Sequence, residues 1–390
     1  MRDRGASGTR ADMTRLLPIV LVLAVFVVCL YVSLHTALAN TDVAALARPP
    51  RAAAGADPAA DPAYEVTVAV QTDSARAWML RETCKAWRGS LSVALYVGFG
   101  ETAGSVSEAD LLAAGCSRVH VEVVPEAARG APYPVNALRN TALRHVRTTH
   151  ALAIDVDFWV SAELGRTLAG HPEWLRLGAK HALVVPAFKR HGGMSKNEEA
   201  GDVDFRARFD ADPTFMPTDR AALSACIGAA QCIVFQADNN KDGHATTDSK
   251  YWLERQGADE LRRIECFGSK RYEPYVIVQL PIPEYDERFV GYGKNKIQHV
   301  EHLRAAGWTY SVMPGGFLVH FPHPISADKV KWIANKGNVH KQTDGLYDAF
   351  RKELDSGSPA TPLCSARALH RARLERIKLD QDQDQANTRW

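Results

Sequence analysis

Neither G-x-G-x-x-G nor G-x-x-x-x-G-K-[ST] occurs in the sequence, so it supports neither a dinucleotide fold of the usual kind nor a P-loop. No sign of charge dominates. The formal net charge is +2 over 390 residues, which gives no basic field for gripping nucleic acid. No Asn-x-Ser/Thr acceptor occurs, so N-glycosylation says nothing about topology. Cysteine is sparse: Cys29 lies in a hydrophobic run, and Cys84, Cys116, Cys226, Cys232, Cys266 and Cys364 remain. Six cysteines allow fifteen pairings, and Cys226 with Cys232 is the nearest pair in sequence. Buried free thiols are the alternative.

What is present begins with an apolar fraction of 46%, that of a globular protein with one large domain or two ordinary ones. Leu16 to Leu34 is almost wholly apolar and uncharged, long enough for a membrane-spanning helix. Arg2, Arg4, Arg10 and Arg15 precede it, which places the short tail in the cytosol and the rest across the membrane. The alternative is a cleaved signal peptide, since Ala37-Leu38-Ala39 has a small-x-small cleavage pattern. The expected organisation is a cytosolic tail over 1–15, a signal-anchor over 16–35 and a flexible Ala/Pro-rich stem over 36–62. A catalytic domain over 63–355 and a charged tail over 356–390 without assigned fold complete it.

Within 63–355, strands are expected at 64–71, 91–97, 118–124, 151–154, 181–188, 274–280 and 316–320. Helices are expected from an Asp73/Ser74 cap to Trp87, at 108–114, after Pro134, and at 294–306; residues 189–220 read as a long loop. Strands alternating with helices give an α/β fold with a mostly parallel, doubly wound sheet, in which ligands bind beyond the carboxyl ends of the strands. At that edge stand Asp155 and Asp157, which strand alternation puts on one side with Val156 on the other. Two carboxylates there are costly unless a cation holds them, and Mg²⁺ or Mn²⁺ bound to a phosphate suits them. The plain alternative is a strand end with two solvated acids.

Other features are less specific. His299 and His302 share a helix face and read as ordinary surface, with a zinc pair as the alternative. Tyr251 and Trp252, beside the polar loop Gly243-His244-Ala245-Thr246-Thr247, suit either a sugar ring or plain packing. Gly291 and Gly293 bracket Tyr292, allowing close backbone approach or positive φ. His320 ends an apolar strand, with Pro322-His323-Pro324 beyond, and is structural unless that strand ends near Asp155.

Four blocks together resemble glycosyltransferase family 49. They are Tyr133-Pro134-Val135-Asn136-Ala137-Leu138-Arg139-Asn140 leading to Ile154-Asp155-Val156-Asp157, Gly243 to Thr247, Glu284 to Gly293, and Phe317 to His323. The resemblance covers roughly 64–355. It implies a GT-A-type fold as a single catalytic domain behind a Golgi type II anchor, a UDP-sugar donor, Mn²⁺ (or Mg²⁺), and inversion at the anomeric carbon. It implies metal ligation by Asp155, Asp157 and His320. Glucuronic acid is the leading donor sugar, with N-acetylglucosamine or xylose as alternatives and a glycan or glycoprotein as acceptor. Val160 stands where the family pattern leads one to expect proline. Lys294 and Asn295 stand where other inverting GT-A families often carry an acidic pair.

On that reading Asp286, then Glu287, are the candidate general bases, with a plain turn residue as the alternative. Asn136 and Arg139, one helical turn apart, are candidates for contacting the nucleotide, with a structural role in their helix as the alternative. Asp155 could also touch the ribose. Lys189, Arg190 and Arg288 are candidate partners for a donor carboxylate. Two rival functions are a non-catalytic lumenal sugar-binding or scaffold protein on the same fold and a secreted metal-dependent hydrolase.

Overall fold

A computed structural model describes residues 65–371 apart from 102–105, 192–203, 239, 256–258, 325, 336 and 355–358. The expected cytosolic tail, signal-anchor and stem lie outside the described residues, as does Gly192-Gly193. Among the described residues no helix is long and apolar enough to cross a membrane.

The first half follows the alternation seen in the sequence. β1 (Val66–Asp73), β2 (Ser90–Val97), β3 (Arg118–Pro125) and β4 (His150–Asp155) pair in parallel, in the order β3-β2-β1-β4. Between them run α1 (Met79–Trp87), α2 (Glu108–Ala113) and α3 (Val135–Arg144). Both faces of this sheet are covered. Val66, Val68 and Val70 of β1 enter the main core, while Ala69 and Ala94 pack with Leu138 and Ala142 of α3 on the opposite face. α2 begins at a capping box, in which Ser107 and Asp110 satisfy each other's backbone N–H groups. α1 differs from expectation. Asp73 accepts from the Arg76 backbone instead of capping the helix, so a turn precedes Met79.

The sheet then turns mixed. β10 (Tyr275–Gln279) runs antiparallel to both β4 and β6 (His181–Val185). β11 (Thr309–Val312) is parallel to β6, and β9 (Arg262–Ile264) closes the edge antiparallel. The single strand expected over 181–188 is two. Pro186 interrupts it, and β7 (Ala187–Arg190) leaves for a second sheet in the order β5-β12-β7-β8. There β5 (Phe158–Val160) and β12 (Leu318–His320) are antiparallel, β12 and β7 parallel, and β8 (Cys232–Val234) forms the edge. α4 (Ala162–Gly170) follows β5, and the stretch 189–220 expected as a loop contains a helix, α5 (Phe205–Ala211). Further α-helices are α6 (Arg220–Gly228), α7 (Ser249–Glu254), α8 (Asn295–Ala305), α9 (Ala327–Ala334) and α10 (Val339–Glu353).

Disulfides join Cys84 to Cys116, Cys226 to Cys232 and Cys266 to Cys364. The last carries the packed chain beyond the boundary expected at 355, and Thr361 is buried. Trp252 is buried and donates its ring N–H to the Met313 carbonyl, so it is a packed tryptophan. His299 is buried as well, not on the surface. It stacks on Tyr285, with Nε2 at 2.9 Å from the Pro283 carbonyl.

Candidate functional site

β4 ends at Asp155, Val156 and Asp157 form a turn, and β5 begins the second sheet at Phe158. The two acids therefore sit on the seam between sheets, not along one strand as alternation implied. Their surroundings differ.

Asp155 is saturated by donors. Oδ1 accepts from Arg139 Nη2 at 2.7 Å and Gln71 Nε2 at 3.0 Å; Oδ2 accepts from Tyr275 Oη and Lys296 Nζ, both at 3.0 Å. A carboxylate has about four acceptor positions, and all four are filled. Burial opposes its ionisation, but Lys296 and Arg139 outweigh that and hold the carboxyl well below the ordinary range.

Asp157 is held by histidines. Its Oδ2 lies 2.9 Å from His323 Nε2, 3.7 Å from His320 Nε2 and 3.6 Å from Arg76 Nη1. His323 Nδ1 is 2.7 Å from the Pro324 carbonyl. Facing a carbonyl with one nitrogen and a carboxylate with the other, the ring donates at both; burial works against its charge, and Asp157 raises its pKa above the usual histidine value. Burial pushes His320 down to about 3, so it is neutral. Register puts His320 opposite Phe158 on one side and Lys189 on the other, which fixes it beside the acid turn. Asp157 Oδ1 and His320 Nδ1 are both buried with no hydrogen-bond partner among the described residues. Orphaned acceptors on a carboxylate and a neutral imidazole, with a second imidazole alongside, fit a divalent ion. The ligand atoms of Asp157, His320 and His323 all lie within 4.8 Å of one another.

A second such cluster, His120, Glu122 and His145, lies on the edge strand β3 and at the end of α3. A depression of about 720 Å³ opens beside Trp87, Ser90, Arg118 and Gly165. Neither includes the acids at the carboxyl ends of the strands.

The wall behind Asp155 explains the polar face of α3. Arg139 Nη1 donates to Asn136 Oδ1 and to Asn295 Oδ1; Asn136 Nδ2 donates to the Asp286 carbonyl. Asn140 donates to the Tyr285 carbonyl and accepts from the Tyr285 N–H. Asn136 and Arg139 are thus buried and bonded to the segment 285–295, and Arg139 also bonds Asp155. Asp286 and Glu287 are placed by the same wall. The Asp286 carboxylate is gripped by Arg288, whose guanidinium also pairs with Glu353. Burial opposes ionisation of Asp286 as well, but Arg288 keeps its carboxyl low. Glu287 Oε1 accepts from Asn140. Both glycines of the following loop have positive φ, 62° at Gly291 and 114° at Gly293. The Gly291 N–H donates to the Tyr133 carbonyl, and a Cβ on Gly293 would meet Trp332 at 2.3 Å.

The candidate partners for a donor carboxylate separate. Arg288 belongs to the Asp286–Glu353 pair, and Arg190 lies over Phe215. Lys189 stands next to His320, paired with Asp238 at 3.3 Å.

The family model for the glycosyl-transferase for dystroglycan matches residues 111–356, more than half of the chain. The chain belongs to glycosyltransferase family 49. Among curated relatives, human "Xylosyl- and glucuronyltransferase LARGE2" is 32% identical over 304 residues, covering 77% of this chain and 38% of that protein. Rat LARGE2 is 30% identical, covering 80% and 42%, and human LARGE1 is 32% identical, covering 72% and 34%. The chain thus spans about two fifths or less of the length of these relatives. Among solved structures, S. aureus TarS 1-349 aligns with a TM-score of 0.38 at 9% identity, covering 75% of this chain and 66% of that one.

Family membership was legible in the sequence; one residue of the cluster was not singled out. His323 lies three residues after His320 and completes the group around Asp157. Its signal was the H-x-x-H spacing at the end of an apolar strand. Arg76, which reaches both Asp73 and Asp157, carried no pattern that distinguished it.

Proposed function

We propose that this protein is a metal-dependent, inverting glycosyltransferase that moves glucuronic acid from UDP-glucuronic acid to a hydroxyl of a glycan acceptor. The observation that carries the reading is the pair of orphaned buried atoms, Asp157 Oδ1 and His320 Nδ1, in a three-ligand cluster at the carboxyl edge of the sheet. Asp157, His320 and His323 would hold the ion. Mn²⁺ or Mg²⁺ there supplies a Lewis acid that offsets charge on a departing diphosphate. Asp155, expected as a further ligand, acts instead as the anion that orders Arg139, Lys296, Tyr275 and Gln71 around the nucleotide end of the cleft. Asn136 and Arg139 fix that wall against the 285–295 segment, and Asp286 and Glu287 anchor the segment.

The relatives named xylosyl- and glucuronyltransferases support glucuronic acid and xylose as donor sugars. Lys189, beside His320 in register, favours the glucuronate carboxyl. Three disulfides and the expected signal-anchor support a Golgi type II protein with its catalytic domain in the lumen.

The test is UDP release by the purified protein across UDP-glucuronic acid, UDP-xylose and UDP-N-acetylglucosamine, with Mn²⁺ and an acceptor panel. Release with UDP-glucuronic acid that disappears in EDTA supports the reading. Turnover unchanged by EDTA or by Asp157→Asn refutes the metal site, and no turnover with any donor refutes the enzyme.

A further inference from the structure

The proposed reaction needs a carboxylate to accept a proton from the acceptor hydroxyl. Of the two acids that sequence points to first, Asp286 is ion-paired with Arg288, and Glu287 is half-exposed to solvent beside Arg144, with Oε1 on Asn140. Glu273, immediately before β10, is a buried carboxylate that neither the metal cluster nor the Asp155 wall employs. Its backbone N–H donates to the Gly243 carbonyl at 2.9 Å, and Gln236 Nε2 donates to Oε1 at 2.8 Å. Among the described residues nothing donates to Oε2, and the residue is 8% exposed. Burial raises its carboxyl above the ordinary glutamate value, with Lys296 and the Gln236 bond pulling the other way, Asp155 adding to the rise and Arg139 opposing it. A base that holds its proton more firmly than a solvated carboxylate accepts one more readily.

Tyr292 lies within electrostatic reach of the same carboxylate. Burial raises its phenol and Glu273 adds to that. Tyr292 is 42% exposed and packs edge-to-face on Trp332 with ring centroids 5.7 Å apart. The positive φ of Gly293 and the absence of a Cβ there let Trp332 lie against the loop. A partly exposed tyrosine ring beside a carboxylate suits the C–H face of a sugar ring with a hydroxyl turned toward the acid, and Trp332, itself stacked on His340 at 3.8 Å, backs that tyrosine.

We propose that Glu273 is the general base for the acceptor hydroxyl, and that Tyr292, held in place by Trp332, forms the floor on which the acceptor sugar lies. The inference rests on the transferase reading above. In the step, the acceptor O–H proton passes to Glu273 Oε2 while the oxygen lone pair forms the new bond to the anomeric carbon. The bond from that carbon to the diphosphate oxygen breaks, and its electron pair leaves with UDP.

The test compares wild type, Glu273→Gln, Glu273→Ala, Tyr292→Ala and Trp332→Ala with UDP-glucuronic acid and Mn²⁺. Glu273→Gln should lose about 10²–10⁴-fold in kcat for transfer to sugar acceptors, with the donor KM and the UDP-induced rise in melting temperature retained. Azide attacks without needing to be deprotonated, so Glu273→Ala with sodium azide should form the inverted glycosyl azide. Tyr292→Ala and Trp332→Ala should raise the acceptor KM and leave the donor KM unchanged. Wild-type transfer with Glu273→Gln within threefold of it overturns the base assignment alone. So does loss of both transfer and UDP binding without azide products, which would make Glu273 structural. Unchanged acceptor KM in both aromatic variants overturns the floor. A wild type inert toward every donor overturns the transferase reading and this inference with it.

Discussion

Asp155→Asn separates the two acids of the D-x-D turn more sharply than any activity measurement. In the wild type one anion receives four donors, two of them the buried cations Arg139 and Lys296. Asparagine has the same shape but one acceptor oxygen and an amide that only donates. Whichever way it turns, two of the four donors face an N–H, and no carboxylate balances Arg139 and Lys296. Removing one partner of a buried ion pair costs about 3–5 kcal/mol. At about 2 °C per kcal/mol for a domain of this size, the melting temperature should fall by about 6–10 °C. The assay is thermal unfolding at pH 7 without divalent metal, so that the metal cluster makes no contribution. Adding Lys296→Met in the same chain removes one of the stranded cations. The double variant should therefore be less destabilised than the sum of the two singles, by about 1–3 kcal/mol. An Asp155→Asn protein melting within about 2 °C of wild type would refute the saturated-carboxylate account, as would strict additivity with Lys296→Met.

Three further outcomes follow from other parts of the molecule. Mn²⁺ at about 100 times its Kd should stabilise the wild type by about 2.7 kcal/mol, and His320→Ala or Asp157→Asn should abolish that rise in a melting assay with and without EDTA; persistence of the shift in both variants would place the ion elsewhere. Burial pushes His299 down to about 3, so between that value and about 6.5 the unfolded chain binds the extra proton, and stability present above pH 6.5 is lost on acidification. The loss should approach about 1.4 kcal/mol per pH unit, and His299→Asn should remove it in urea titrations at pH 7.0 and 5.5; equal slopes would show that the ring is not held neutral. Gly293→Ala combines a φ of 114° with a Cβ 2.3 Å from Trp332, so it should cost about 1–3 kcal/mol in urea titration, and an unchanged midpoint would contradict this loop conformation.

The parts of the fold legible in sequence are those where local pattern and tertiary context agree. β2, α2 and β3 lie within a residue or two of their expected bounds because each is a short amphipathic or apolar run ended by its own turn residues. Where context overrides pattern, the reading failed for identifiable reasons. Strand periodicity over 181–188 does not register that Pro186 hands the chain from one sheet to another. The direction of β10 depends on its neighbours β4 and β6, which lie far away in sequence, so a mostly parallel sheet was expected where a mixed one forms. His299 looked like surface because helix α8 has no clear apolar stripe; its neighbours Tyr285 and Pro283 come from another segment.

The motif blocks have a physical relation that spacing alone does not show. Asn136 and Asn140 of the first block bond the backbone of Tyr285 and Asp286 in the third, while Arg139 bonds Asn295 just beyond that block. Arg139 also carries that wall to Asp155, and the turn at Val156 carries it on to Asp157 and the histidines of the last block. Residues that look like separate ligand contacts along the chain are, in large part, contacts between the blocks themselves. This leaves few side chains for chemistry: Asp157 and His320 with their orphaned acceptors and His323 beside them, and Glu273 with an oxygen that no protein donor satisfies among the described residues. A carboxylate already bound by arginine is stabilised as an anion and is a weak base, which counts against Asp286 despite its place in the third block. Glu273 meets the opposite condition: burial raises its carboxyl, and Lys296, which bonds Asp155, pulls only partly against that rise.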